Sequence, residues 1–390
     1  MKILFVNNFY NLFAKADCGA SQRSMCVIRA LSKLGDVDVV SFADETVSNI
    51  PGVGVIYSKN VEDEKHHYSV VQKIGRFFCW WKPEWHYPVN EQKREVIDRI
   101  VAQKDYDVIV TRYLKYACEC GLMQYADRLV LDFDDDLRDT VLMEIAQMKS
   151  WHKRIKSRIY AETVGRLTAY VSKHIRHGFY SAPHRPLPNA AFLPNISAYT
   201  ERMPEVDFRA TKPVVLLVGN FRYYPNEYGL ERFVRDIFPK IREQISDAQV
   251  HVVGNIPDYM MERIRPYMVD GVELCGFLPQ LTDAYRESRC VVVPIWHGTG
   301  TSVKLVEAMA LNRAVVTTTM GVRGLHEAFV QDEDYLLADE DRTIAENVVR
   351  LLTNEKLNNR LSKSALGKIQ EYYSSERFEA IIREQLRGKS

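Results

Sequence analysis

Short, mostly apolar runs that alternate with helix-forming stretches constrain the fold of this chain more than any other feature. Residues 2–6, 107–111, 214–218 and 290–293 are such runs, and polar or glycine-containing loops follow them. Strands that are apolar without interruption are typically buried on both faces, as in parallel sheets covered by helices. The sequence therefore predicts an α/β fold built on parallel sheets.

This alternation begins twice, which predicts two domains. We predict a Rossmann-like domain over residues 1–196, a polar linker over 197–213, a second Rossmann-like domain over 214–371, and a carboxyl-terminal helix over 372–390 that crosses back to the first domain. Parallel α/β sheets bind ligands at the carboxyl ends of their strands, so we expect the two domains to face each other across a ligand-binding cleft. No G-x-G-x-x-G fingerprint follows the first strand, which disfavours a nicotinamide dehydrogenase.

Composition limits the classes of partner. The 390 residues include 52 Lys and Arg against 51 Asp and Glu, a balance that does not suggest a nucleic-acid-binding protein. The seven cysteines are scattered and odd in number, which favours reduced thiols. No apolar run reaches the roughly 18 residues of a membrane span, so we expect a cytoplasmic protein.

The loop after residues 290–293 has the pattern of an anion site. Gly298 and Gly300 precede Thr301 and Ser302, which are candidate helix caps, and good helix formers follow over residues 303–310. The first N–H groups of a helix and its dipole favour an anion, and glycines allow its close approach. Lys304 lies in the first turn, and Glu307, one turn further on, could accept hydrogen bonds from sugar hydroxyls. An ordinary βα loop is the alternative interpretation.

A cluster of carboxylates at residues 132–136 also follows a predicted strand. Asp132 and Asp134 are nearest the strand end, where a ligand crevice is expected, and Arg112 directly follows the preceding predicted strand, 107–111. Paired aspartates could hold a divalent ion with a nucleotide diphosphate. Capping of the next helix is the interpretation that we prefer for Asp135 and Asp136.

Three further stretches carry predictions. The aromatic segment 75–88 is interpreted as a cover over the core, with a sugar-stacking flap or a lipid-contacting segment as alternatives. A long helix is predicted over residues 137–166, and its basic residues 153–158 are interpreted as a solvated face, with a phosphate or membrane-surface patch as the alternative. A strand is predicted over residues 168–172, with a short helix beginning at Ser172.

Several of these motifs together resemble a known family. The segments are residues 294–310 and 314–325, supported by 218–226, 272–277, 193–195, 3–6, and the pair Gly19 and Arg23. The chain resembles the retaining glycosyltransferases of the GT-B fold, in the large group called family 4. The resemblance is strong over the second half of the chain and thin over the first half, where members of this family bind diverse acceptors.

The resemblance implies roles for individual residues. Glu307 would bind the ribose of a nucleotide-sugar, and Lys304 with Arg222 would place positive charge against its diphosphate. The remaining donor-binding positions would be Gly19, Asn220, Gly276, Phe277, Gly298, Gly300, Thr301 and Ser302. Apart from the resemblance, Arg112, Asp132 and Asp134 are candidates for acceptor binding because they lie near strand ends of the first domain. Thr299 departs from the family, because it occupies the position eight residues before Glu307 where members usually carry another glutamate.

The resemblance also implies a reaction. A sugar would move from a nucleotide-diphosphate donor to a saccharide or lipid-linked saccharide, with retention of anomeric configuration and without a metal or other cofactor. A peripheral contact with the membrane is part of this expectation. Two alternatives stay open at this point: a sugar-nucleotide 2-epimerase, and a non-catalytic protein that binds nucleotide-sugars.

Overall fold

The computed structural model describes residues 1–8, 11–13, 19–45, 48–61, 69–135, 137–182, 186–197, 203–278, 280–298 and 301–387. These residues form two compact units. The first comprises Met1–Pro194 together with Ser375–Ser390, and the second comprises Asn195–Ser374. Each unit contains one sheet, and every strand pairing within both sheets is parallel. The predicted α/β architecture with two parallel, Rossmann-like sheets is therefore confirmed.

The first sheet contains seven strands in the order β3-β2-β1-β4-β5-β6-β7. They are β1 (Lys2–Asn7), β2 (Asp36–Ser41), β3 (Val53–Ser58), β4 (Val108–Arg112), β5 (Leu129–Asp134), β6 (His177–Tyr180) and β7 (Ala190–Phe192). The order reverses direction between β1 and β4, the point at which doubly wound sheets open a crevice at the strand carboxyl ends.

The second sheet repeats this order with six strands, β10-β9-β8-β11-β12-β13. They are β8 (Val214–Val218), β9 (Gln249–Val253), β10 (Val272–Gly276), β11 (Cys290–Val293), β12 (Ala314–Thr317) and β13 (Leu336–Leu337). Here the order reverses between β8 and β11, so the loops that follow these two strands flank the crevice of the second unit.

Helices connect most of the strands. In chain order they are α1 (Gly19–Ser32), α2 (Val70–Phe78), α3 (Pro83–His86), α4 (Glu91–Gln103), α5 (Leu114–Glu119), α6 (Leu137–Gln147), α7 (Trp151–His174), α8 (Tyr224–Arg232), α9 (Phe238–Arg242), α10 (Asp258–Ile264), α11 (Thr282–Glu287), α12 (Val303–Ala310), α13 (Asp341–Thr353), α14 (Glu355–Tyr372) and α15 (Ser375–Arg387). A π-helical turn, Phe233–Ile237, joins α8 to α9. No helix in the described part of the chain is long and apolar enough to cross a membrane.

The strands of the second sheet are apolar throughout because helices cover both of their faces. Along β8, Val215 and Leu217 belong to one hydrophobic cluster and Leu216 belongs to the cluster on the opposite face. Along β11, Val292 and Val293 alternate in the same way. Alternate side chains of a strand point to opposite faces, so a sheet buried on both sides needs apolar residues at every position.

The predicted strand over residues 168–172 is wrong, and so is the helix predicted to begin at Ser172. These residues lie inside α7, whose buried positions include Val164, Leu167, Thr168 and Val171, a spacing of three and four residues that belongs to a helix. Thr168 Oγ1 donates to the carbonyl of Val164 at 2.9 Å, which satisfies its hydroxyl within the helix. The predicted helix over 137–166 is also interrupted, since α6 ends at Gln147 and α7 begins at Trp151.

The aromatic segment 75–88 is divided between covered and exposed rings. Trp80 packs edge-on against Tyr170 of α7, with ring centroids 5.9 Å apart. A Cβ on Gly75 would lie 1.7 Å from the ring of Trp85, so glycine is required beneath that ring. Phe78 and Trp81 are exposed. The core-covering interpretation therefore holds for Trp80, Trp85 and Tyr87, the last of which belongs to the core of the first unit, but not for Phe78 and Trp81.

The last helix, α15, belongs to the first unit, as the predicted crossing back of the carboxyl-terminal helix requires. Lys33 forms an ion pair with Glu379 at 2.5 Å, and Arg176 donates to the carbonyl of Leu386 at 3.3 Å. Within the predicted linker, Met203 and Val206 are buried, so the stretch after residue 202 packs on the second unit.

Candidate functional site

Two loops meet at the crevice of the second unit. One follows β8 and leads into α8, and the other follows β11 and leads into α12. These strands are neighbours, with Cys290 paired to Val215. The loops approach closely, because a Cβ on Gly229 of α8 would lie 2.1 Å from the carbonyl oxygen of Pro294. Gly229 and Pro294, which are 65 positions apart in sequence, are thereby brought close together.

The amino terminus of α12 lies where the sequence predicts an anion-binding element. Ser302 is the N-cap residue, with extended backbone angles. Its hydroxyl oxygen is buried and makes no hydrogen bond to any described residue. The first N–H groups of a helix lack partners inside the helix, so this end offers donors and a positive partial charge to a ligand.

Lys304 is held in place by a chain of side chains from the facing loop. Its ammonium group donates to Asn226 Oδ1 at 2.6 Å, and Asn226 Nδ2 donates to the carbonyl of Asn220 at 2.8 Å. A Cβ on Gly219 would lie 3.2 Å from Lys304 Nζ, so the glycine leaves room for the cation. Burial lowers the pKa of Lys304 to about 8, against the opposing effect of Glu307.

Glu307 lies one helical turn beyond Lys304 and is 7% exposed. Burial raises the pKa of its carboxyl to about 7, although the charge of Lys304 acts in the opposite direction. The attraction between Lys304 and Glu307 therefore does not offset the cost of burying their charges, and both groups are shifted toward their neutral forms. A ligand that supplied a negative charge to Lys304 and hydroxyl donors to Glu307 would favour the charged forms of both.

The glycine loop is supported from behind by the turn after β12. Thr301 Oγ1 donates to the carbonyl of Gly324 at 3.3 Å. A Cβ on Gly324 would lie 2.5 Å from this hydroxyl, and the φ of Gly324 is +79°. Gly298 also has a positive φ, +142°, a conformation that other residues rarely adopt. Thr299 and Gly300 lie outside the described residues.

The other predicted donor-binding residues of the second unit lie at the carboxyl-terminal edge of the same sheet. Arg222 is exposed in the loop after β8, where its backbone N–H donates to Asn220 Oδ1 at 3.1 Å. Gly276 ends β10 with a φ of +68°, and Phe277 beside it is 56% exposed. Because β10 is two strands away from β8, these residues occupy the same edge of the sheet but do not join the cluster around Lys304.

The predicted acceptor residues of the first unit form a buried ion-pair network. Arg23 binds Asp132 through two hydrogen bonds of 2.7 and 2.9 Å, and Arg112 donates to the same carboxylate at 2.9 Å. Arg112 also donates to Asp134 Oδ2 at 2.5 Å. Burial alone would raise the pKa of Asp132, but the charges of Arg23 and Arg112 hold it below the usual value. Gly19 is the first residue of α1, the helix that carries Arg23.

Asp135 differs from the two aspartates beside it. Burial, with the charge of Asp134, raises the pKa of its carboxyl to about 7, and its Oδ1 accepts a hydrogen bond from Ser181 at 3.1 Å. This partner directly follows β6, and the helix-capping role of Asp135 stays a prediction. Asp136 lies outside the described residues.

A small recess opens beside this network at the carboxyl ends of β1 and β4. Asn7, Asn8, Arg112, Tyr113 and Tyr116 line it. Asn8 is 5% exposed, and its Nδ2 has no hydrogen-bond partner among the described residues. Tyr113 has a φ of +65°, and strained backbone of this kind in a non-glycine residue is concentrated at functional sites.

Sequence reasoning missed two residues that organise these sites. Asn226 positions Lys304, and its only sequence signal is its place in the segment 218–226 that resembles the family. Arg23 neutralises Asp132, and it too was part of the resemblance without an assigned role. No periodicity marks either residue, because their partners are distant in sequence.

Comparison with known proteins finds a family model that the second unit resembles. Residues 212–354 match the family model described as Glycosyl transferases group 1. An uncharacterized 44.6 kDa protein in the cps region of Klebsiella pneumoniae is 24% identical over 178 residues, a match that spans 44% of this chain and 45% of that protein.

Solved structures share the whole fold. Sucrose-phosphate synthase from Thermosynechococcus elongatus has a TM-score of 0.66 at 18% identity, covering 99% of this chain and 98% of that one. HepE from Anabaena, in complex with UDP-glucose, has a TM-score of 0.64 at 13% identity with full coverage of both chains. WaaG, a glycosyltransferase involved in lipopolysaccharide biosynthesis, has a TM-score of 0.61 at 13% identity, covering 98% and 99%. The fold is therefore that of the GT-B glycosyltransferases.

Proposed function

We propose that this chain, which has the GT-B fold and carries a glycosyl transferases group 1 domain over residues 212–354, transfers a sugar from a nucleoside-diphosphate sugar to a saccharide or lipid-linked saccharide. The observation that carries the proposal is the pairing of Lys304 with Glu307 at the amino terminus of α12, at the reversal point of the second sheet. The relative in a cps region and the UDP-glucose complex of HepE support a sugar-nucleotide substrate.

The site residues would bind the donor in two parts. The diphosphate would accept hydrogen bonds from the first N–H groups of α12 and from Lys304, with Arg222 adding charge from the facing loop. Glu307 would accept hydrogen bonds from the ribose hydroxyls. Gly276 and Phe277 would meet the base, and Gly298, Gly300, Thr301 and Ser302 would shape the phosphate pocket.

Lys304, Arg222 and the first N–H groups of α12 would also favour cleavage of the bond between the sugar and the diphosphate. The leaving nucleoside diphosphate gains negative charge as the glycosidic bond breaks, and a preorganised cation with helix N–H donors stabilises that charge most in the transition state. We propose that this stabilisation replaces a metal ion and that transfer proceeds with retention. The leaving phosphate oxygen would then take the proton of the acceptor hydroxyl, so a separate protein base is not required.

The recess in the first unit is the proposed acceptor site. Arg112 lines it and donates a hydrogen bond to Asp134, and Asn8 contributes a buried amide that a sugar hydroxyl could satisfy. Asp132, with both oxygens bound by arginines, would position Arg112 rather than contact the acceptor. Thr299, in place of a glutamate, would leave the donor sugar without a carboxylate partner at that position.

The test begins with thermal-shift screening of the purified chain against a panel of nucleotide-sugars, since a ligand that binds the folded state raises its apparent stability. Release of nucleoside diphosphate is then measured with and without lipid-linked and free saccharides. Acceptor-dependent release that Lys304→Ala and Glu307→Ala abolish supports the proposal. Conversion of the donor without an acceptor would instead indicate an epimerase, and binding without turnover would indicate a non-catalytic protein.

A further inference from the structure

The first two turns of α7 form an exposed surface that the proposed reaction does not use. Trp151, Ile155 and Ile159 are 65%, 52% and 45% exposed. Large apolar side chains scattered singly over a surface need no explanation, but three at a spacing of four residues form a stripe along one helix. We call Trp151, Ile155 and Ile159 the apolar stripe.

The apolar stripe points away from the unit that carries it. At about 100° per residue, its three side chains fall within an arc of about 80°. The buried residues Ala161, Val164 and Thr168 of the same helix project on nearly the opposite side. Ser157, on that inner side, donates to Met148 Sδ at 3.6 Å, so the inner face packs toward the end of α6. The stripe is therefore the outer face of the tip of a helical hairpin.

Cations border the stripe on both sides. Between Glu144 and Glu162 the sequence carries five Lys and Arg residues and no Asp or Glu; they are Lys149, Lys153, Arg154, Lys156 and Arg158. On the helix, Arg154 and Arg158 fall along one margin of the stripe, and Lys156 falls along the other. Lys153, Lys156 and Arg158 are exposed.

An exposed apolar stripe with basic margins is the pattern expected of a surface that binds an anionic membrane. We propose that the tip of the α6–α7 hairpin docks on the surface of an anionic lipid bilayer, with the apolar stripe inserted at the level of the headgroups. Burial of tryptophan and isoleucine side chains at that depth lowers the free energy, because it removes apolar surface from water. The basic side chains on the margins remain near the lipid phosphates. A second copy of this chain fits less well, because it would bring five like charges against five.

A neighbouring helix presents a similar surface. Val71 and Phe78 of α2 are 70% and 73% exposed, and they lie seven residues apart, on the same side of their helix. Because α2 packs against α7, two elements of one unit carry unusually exposed apolar side chains. Membrane docking would place the exposed apolar side chains of α2 and of α7 in contact with lipid.

Vesicle sedimentation of the full chain tests the proposal without any assay of transfer. We expect binding to vesicles that contain phosphatidylglycerol, little binding to pure phosphatidylcholine, and release in ~1 M salt, where the Debye length is about 3 Å. The triple variant Lys149→Gln, Lys156→Gln, Arg158→Gln should bind roughly a hundredfold more weakly, because each cation near an anionic surface contributes about 1 kcal/mol of attraction. The pair Trp151→Ser and Ile155→Ser should also lose binding.

The matched control removes three exposed cations from the second unit, by Arg342→Gln, Lys356→Gln and Lys363→Gln, and should leave binding within about twofold because these residues lie on other helices. Brominated lipid provides a second measurement, since it should quench the fluorescence of the chain but much less that of Trp151→Phe. The absence of vesicle binding, equal binding by all variants, or a dimer that the stripe variants dissociate in analytical ultracentrifugation would overturn the proposal.

Discussion

The affinity for a nucleotide-sugar should depend on pH in a way that reports on Lys304 and Glu307. In the ligand-free chain the pKa of Lys304 is lowered to about 8 and that of Glu307 is raised to about 7. A bound diphosphate favours the ammonium, and ribose hydroxyls favour the carboxylate, so binding should move both pKa values back toward their usual ranges. Affinity should therefore be greatest between about pH 7 and 8.

The size of the effect follows from these values. If binding restores the pKa of Lys304 from about 8 to its usual value of 10.5, Lys304 takes up a proton on binding above pH 8, and affinity at pH 9 falls about tenfold. If binding restores Glu307 from about 7 to 4.5, binding releases a proton below pH 7, and affinity at pH 6 also falls about tenfold. Each tenfold loss corresponds to about 1.4 kcal/mol of binding free energy.

Isothermal titration calorimetry with UDP-glucose from pH 6 to pH 9 measures this directly. A nucleotide-sugar is the right probe, because its diphosphate is esterified at both ends and does not itself titrate in this range. Repeating the titration in buffers of different ionisation enthalpy counts the protons exchanged. Lys304→Met should remove the alkaline decline, and Glu307→Gln should remove the acid decline. Constant affinity across this range, or declines that persist in these variants, would refute the reasoning.

Three further perturbations test the supports of the two sites. Gly324→Ala places a methyl group 2.5 Å from Thr301 Oγ1 at a residue whose φ is +79°. Donor affinity, measured by calorimetry, should therefore fall about tenfold. The control Gly367→Ala should leave the affinity unchanged, because a methyl group there meets no other atom within 4 Å. Asp132→Asn leaves Arg23 and Arg112 buried without their shared carboxylate, and chemical denaturation should show a loss of about 3 kcal/mol or more. The raised pKa of Asp135 means that its stability contribution is present below its usual pKa and is lost as pH rises toward about 7. Asp135→Asn should therefore stabilise the chain at pH 8 by on the order of 2 kcal/mol and change little at pH 4, as denaturant titrations at both pH values would show.

Local sequence signals predicted the elements that depend on local physics. The apolar runs of β8 and β11 could be recognised because burial on both faces demands them. The spacing of Lys304 and Glu307 could be interpreted because three residues along a helix bring side chains to one face. The strand predicted over residues 168–172 failed because its β-branched residues suit either structure, and the helical spacing of Val164, Leu167 and Val171 decided the outcome.

Contacts between distant parts of the chain could not be predicted in this way. Arg23 and Asp132 are separated by 109 positions, and Lys304 and Asn226 by 78. Nothing in the composition around either residue indicates its partner, because the partner is set by strand order. Asp132 consequently looked like a ligand contact in the sequence, although two buried arginines occupy its oxygens.

The difference between these two charged clusters indicates where a ligand acts most strongly. In the first unit, the arginines compensate Asp132 so well that its pKa lies below the usual range despite complete burial. A ligand has little to add there, which supports the proposal that Asp132 positions Arg112. In the second unit, Lys304 and Glu307 both remain shifted toward neutrality, because neither satisfies the other. A substrate can compensate the charges that the protein leaves without a full partner. A nucleoside diphosphate carries both groups required, because its phosphates can pair with Lys304 and its ribose hydroxyls can donate to Glu307.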